Sequence, residues 1–111
     1  MKRIVRFCLL ALFVACCWPP TAALAHKVTI FAYTEGDTVY SESYFSDGDP
    51  VLGGLVTVAD AQGKQVLSGK TDQDGHFHFP MPTPKSDLVL SLDASMGHKA
   101  IFTLKLDEAA P

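Results

Sequence analysis

Gly69-Lys70-Thr71-Asp72-Gln73-Asp74-Gly75-His76-Phe77-His78-Phe79 is the stretch on which the fold turns. Its second half alternates imidazole and phenyl rings. His76 and His78 fall on one side and Phe77 and Phe79 on the other, the period-two pattern of a strand with one buried face. Its first half is turn chemistry. Asp72 and Asp74 can accept hydrogen bonds from nearby backbone N–H groups, and Gly75 can take a positive φ.

The same punctuation repeats outward in both directions. Upstream, Gln65 to Thr71 and Gly54 to Asp60 read as strands around the turn Ala61-Gln62-Gly63-Lys64. Thr38 to Ser46 is β-branched and aromatic, and Ser46-Asp47-Gly48-Asp49-Pro50 is a turn. Lys27 to Thr34 sets Val28, Ile30 and Ala32 against Phe31 and Tyr33, with Glu35-Gly36-Asp37 as a hairpin turn. Downstream, Pro80, Pro82 and Pro84 hold an extended loop that cannot be a central strand. Leu88 to Asp93 and Lys99 to Leu106 complete the set. The pattern predicts an all-β fold: a single antiparallel β-sandwich of about seven strands over residues 26–106, without helix. Ile30, Phe45, Val56, Phe77, Phe79, Leu90 and Phe102 are expected in its core. Residues 107–111 are expected to fray.

The first 25 residues are a different kind of polymer. Lys2, Arg3 and Arg6 precede the apolar run Phe7 to Trp18, the breaker Pro19-Pro20 and the small-x-small site Ala23-Leu24-Ala25. That order predicts a cleaved export signal over residues 1–25 and a periplasmic or other extracytoplasmic destination. Twelve apolar residues are too few to span a hydrocarbon core that needs roughly 20. A minor alternative is lipid attachment at Cys16, within Phe13-Val14-Ala15-Cys16.

The chain has 111 residues, 48% of them hydrophobic, which excludes a disordered or collagen-like polymer. All three cysteines and the one Trp precede residue 19, so the part from His26 onward has no disulfide and must fold on its core alone. That part holds six lysines against twelve carboxylates, a net charge of −6. Such acidity argues against nucleic acid and anionic lipid as partners and is compatible with cations.

Cleavage after Ala25 would make His26 the first residue. A terminal His offers its α-amine and Nδ1 to one metal, a chelate suited to Cu(II), Ni(II) or Co(II). The alternative is a His that follows a signal site by chance. Asp93-Ala94-Ser95-Met96-Gly97-His98 gathers a carboxylate, a thioether and an imidazole in one turn. It reads either as a metal-binding turn or as a polar turn with Met96 tucked into the core. His76 and His78, two apart on a strand, could share a metal or simply face water opposite the Phe pair. Glu42, between Tyr40 and Tyr44, is a carboxylate near a site or a charge reaching water over aromatic surface.

Catalysis has little support. No serine sits in a Gly-x-Ser-x-Gly elbow, and no phosphate loop or His-Glu-x-x-His is present. The Asp47/Asp49 and Asp72/Asp74 pairs do not complete a calcium loop and read better as turn chemistry. A non-enzyme is expected.

Two resemblances extend these readings. The strand Gly54-Leu55-Val56-Thr57-Val58 followed by Gly69 to Phe77 resembles the carboxypeptidase-regulatory-like, transthyretin-related sandwich, which implies a fold and no function. Three further strings are more specific: Ala25 to Tyr33, Glu35 to Gly48, and Leu92-Asp93-Ala94-Ser95-Met96-Gly97-His98. Together they resemble small exported proteins that accompany energy-coupling-factor cobalt and nickel uptake transporters. That resemblance implies an accessory subunit that helps deliver Co(II) or Ni(II) to the membrane substrate-binding component. Carried over, it singles out His26 and His98 as ligands. The competing readings are a non-metal structural or adhesive surface module, and a periplasmic copper chaperone, which would also use a terminal His.

Overall fold

The computed structural model describes residues 27–106. Seven strands occur in chain order: β1 (Val28–Glu35), β2 (Thr38–Phe45), β3 (Leu55–Ala59), β4 (Gln65–Lys70), β5 (His76–Pro80), β6 (Leu88–Asp93) and β7 (Lys99–Leu104). They form two antiparallel sheets, one ordered β1-β2-β5 and the other β4-β3-β6-β7. The expected all-β, seven-strand architecture is the one observed. The export signal and the tail 107–111 lie outside the described residues, as does His26.

Alternation decides which side chains meet between the sheets. Along β1, Val28, Ile30 and Ala32 are buried while Thr29, Phe31 and Tyr33 are exposed. Val39, Ser41 and Ser43 are the inward row of β2; Tyr40, Glu42 and Tyr44 are the outward row. Val56 and Val58 of β3 and Leu88, Leu90 and Leu92 of β6 supply the centre of the opposite layer. The β1–β2 hairpin closes on Gly36 and Asp37, with Glu35 opposite Thr38. Gly36, at φ +60°, is the first central residue, where a two-residue turn of this hand requires glycine.

Three of the expected core residues are only partly buried. Ile30, Val56, Phe79 and Leu90 are enclosed, whereas Phe45, Phe77 and Phe102 pack against the core from its rim. The reason is position. Phe77 and Phe102 lie on edge strands, and Phe45 ends β2. The aliphatic centre instead uses Val39, Val51 and Leu88. Pro80, expected in the loop, is the last residue of β5; this edge strand tolerates its missing N–H.

The passage from β4 to β5 carries the chain from one sheet to the other, and Thr71 pins it. Buried Thr71 Oγ1 donates to the Val51 carbonyl and accepts from Gly54 N–H at 2.8 Å. Its backbone adds a bond in each direction, from Gly53 N and to Gly54 O. Gly75 then needs both of glycine's freedoms. Its φ is +78°, and an added Cβ would lie 2.4 Å from the Ser43 carbonyl oxygen. Among the described residues, Ser43 Oγ is the buried side-chain polar atom without a hydrogen-bond partner.

Candidate functional site

The turns are built by aspartates. Asp72 Oδ1 accepts from Asp74 N at 2.8 Å and His76 N at 2.9 Å. These bonds to the ionised form, with a smaller contribution from the neighbouring His76 and His78 side chains, hold the Asp72 carboxyl below its ordinary value. Asp60 Oδ1 accepts in the same way from Gln62 N and Lys64 N, and Asp47 Oδ1 from Asp49 N. Asp47 and Asp72 thus act as backbone acceptors, as their spacing suggested, and Asp60, expected to end a strand, does the same. Asp74, expected to share this work, contributes its backbone N–H rather than its carboxylate.

The turn between β6 and β7 is the most unusual backbone of the described chain. Asp93 Oδ1 accepts from Ser95 N at 2.9 Å, Ala94 N donates to the His98 carbonyl at 2.8 Å, and His98 N to the Ser95 carbonyl at 3.0 Å. Ser95, Met96 and Gly97 take successive φ values of 71°, 52° and 81°. Two non-glycine residues in the left-handed region cost roughly 1–2 kcal/mol each. The burial alternative for Met96 is overturned: its side chain is 93% exposed at the turn's tip, because left-handed φ aims it away from the sheets.

His98 is half-buried, and its ring meets Phe45 edge-on at 6.0 Å between centroids. Phe45 stands opposite Val28 in the β1–β2 register, and Ser46 N donates to the Lys27 carbonyl at 2.8 Å. The start of β1 and the turn carrying His98 therefore meet at one end of the sandwich. His26 is joined to Lys27 and lies outside the described residues.

His76, His78 and Glu42 gather elsewhere, on the outer face of the β1-β2-β5 sheet. Glu42 is opposite Phe31 on one side and His76 on the other. Its Oε1 accepts from the Tyr44 hydroxyl at 2.6 Å and lies 3.6 Å from His76 Nε2. Tyr44 donates in that bond, which is the main reason its hydroxyl ionises later than usual. His78 packs its ring against Tyr40 at 5.7 Å. His76 and His78 thus share a face, as their spacing required, but they engage Glu42 and Tyr40 respectively. Among the described residues no three His, Cys, Asp or Glu side chains are placed to hold a metal ion.

The chain is similar to an uncharacterised protein of Haemophilus influenzae, 35% identical over 94 residues. The match covers 83% of this chain and 57% of the relative, so the chain spans little more than half of that relative's length. No protein family and no solved structure matches the chain.

The sequence pointed to His98 but not to what surrounds it. Phe45 was legible as an apolar strand end. Its contact with His98 required the two sheets to be stacked in a particular order.

Proposed function

We propose that this chain is an exported metal-binding accessory protein that helps deliver cobalt or nickel to the substrate-binding component of a membrane uptake transporter. The observation that supports it is the meeting of the β6–β7 turn with the start of β1. Phe45 touches the His98 ring and is the register partner of Val28, two residues beyond His26. One peptide unit, about 3.8 Å from Cα to Cα, separates residue 26 from Lys27. A terminal His26 would bring an amine and an imidazole to the neighbourhood of the His98 imidazole. Three nitrogens make a donor set that first-row divalent ions favour. The left-handed backbone at Ser95 and Met96 adds support, since strain of this kind is retained where a local geometry is useful. The resemblance to cobalt and nickel transport accessory proteins supplies the cargo and the partner.

The test is calorimetric titration of Ni(II) and Co(II) into protein beginning at His26, into the same protein with one residue added before His26, and into His98→Ala. The addition converts the amine to an amide and removes one donor. We expect at least tenfold weaker binding in both altered forms. Affinity should also fall below pH ~6.5, where imidazoles take up protons. Equal affinity with and without the added residue would exclude a terminal-amine site. Absence of binding to all three forms would leave a surface module without metal as the better account.

A further inference from the structure

The outer face of the three-stranded sheet carries chemistry that the metal reading does not use. Five rings lie on it in a continuous arc. Tyr44 and Phe31 are 6.5 Å apart, Phe31 and Tyr33 6.4 Å, Tyr33 and Tyr40 5.6 Å, and Tyr40 and His78 5.7 Å. The first three pairs lie within 25° of parallel, so neighbouring rings of the arc share one orientation. Glu42 stands inside it, flanked along β2 by Tyr40 and Tyr44 and opposite Phe31 and His76 across the ladders. A shallow depression of about 160 Å³ lies here, lined by Tyr33, Tyr40, Glu42, Asp72, His76 and His78 among others.

A soluble β-sheet face usually carries scattered polar side chains, whereas this one is exposed aromatic surface around a carboxylate. Phe31 and Tyr33 are 40% and 39% exposed. None of the outward positions of β1, β2 and β5 is Lys or Arg, while Glu35 and Glu42 are both among them. The formal negative charge of these positions comes from the two carboxylates, with the imidazoles of His76 and His78 beside Glu42 and Tyr40.

We propose that this face binds an arginine-bearing segment of a partner protein, with the guanidinium stacked on the Tyr33 and Tyr40 rings and Glu42 as its counter-ion. A guanidinium is planar, stacks on aromatic faces and pairs with carboxylates through its fork of N–H donors. Glu42 already accepts from the Tyr44 hydroxyl and lies beside His76 and the Tyr33 hydroxyl, and a carboxylate has about four acceptor positions, so it keeps capacity for a further donor. The excess of carboxylates over lysines beyond residue 25 favours the approach of a basic partner. A neutral sugar could stack on the same rings but would make no use of the charge.

All three tyrosines of the chain lie on this face, so their ring resonances report on it alone. The experiment titrates a capped tetra-arginine peptide into the full chain, followed by those resonances and by calorimetry. The parallel arms use the isosteric citrulline peptide and neutral maltohexaose. We expect the arginine peptide to shift the tyrosine signals and the citrulline peptide to bind about tenfold more weakly. Glu42→Gln and Tyr33→Leu, both at outward-facing positions of the sheet, should each weaken binding several-fold, with an unchanged far-UV spectrum. Equal binding of the arginine and citrulline peptides would overturn the proposal. So would binding unaffected by both substitutions, a preference for the sugar, or no shift with any probe. None of these outcomes depends on the metal site.

Discussion

At the residue scale, one hydroxyl holds the crossing between the sheets. Thr71 Oγ1 is hydrogen-bonded to both Val51 and Gly54, and all of it is buried. Thr71→Val keeps the shape and leaves a buried N–H and a buried C=O without partners. That should cost about 2 kcal/mol, read as a lower urea midpoint with an unchanged slope. Thr71→Ser, which retains the hydroxyl, should recover a large part of it. The sequence showed Thr71 as a strand end. Its role was not visible there, because its two partners are 17 and 20 residues away. The aspartates are the opposite case. Asp72 bonds to groups two and four residues on, so its work was legible from spacing alone; Asp60 does the same, though it read only as the end of a strand.

At the element scale, β4 and β5 face each other across the sandwich at its open side, and one contact closes it. The Phe77 ring lies on Gly69, so close that a Cβ there would sit 2.3 Å from Phe77 Cε1. Phe77 is also held by Phe79 at 5.7 Å. Gly69→Ala should therefore destabilise by about 1–3 kcal/mol, although Ala is the better residue for most strands. Combining it with Phe77→Leu should cost less than the sum of the two single changes, since the smaller side chain relieves the clash. Chemical denaturation of the four proteins measures this, and strict additivity would show that the ring moves aside freely. Strand boundaries were read to within one or two residues, because alternation is local. The half-burial of Phe45, Phe77 and Phe102 was not, because a strand's sequence does not state whether it ends up at an edge.

At the scale of the whole molecule, stability should be widest near neutral pH and narrow at both ends for identifiable reasons. Asp72 and Asp87 are held below their ordinary values, chiefly by backbone N–H donors from His76 and Leu106. Groups lowered by folding contribute stability that is complete above their unfolded pKa of about 3.9 and is lost as pH falls through the folded values. Tyr33 and Tyr44 are raised, Tyr33 mainly by burial and Tyr44 mainly by its bond to Glu42. Their contribution is complete below the unfolded value of about 10 and is lost as pH rises through the folded values. Urea midpoints across the pH range should thus fall below pH ~4 and again above pH ~10. Glu42→Gln should bring the Tyr44 ionisation, followed by phenolate absorbance, back toward its ordinary value.

The sequence by itself determined the strands, their inward and outward faces and the turn chemistry, since each depends on neighbours a few residues apart. It also brought His76, His78 and Glu42 into view as chemically capable side chains. Only the tertiary structure decided what those side chains meet. Stacking β1, β2 and β5 in that order set Glu42 inside an arc of rings drawn from three strands. The same stacking carried His98 to Phe45, 53 positions earlier in the chain. Such contacts depend on which strands pair and which edges face one another, and that choice is made by the packing energy of the whole core rather than by any local pattern.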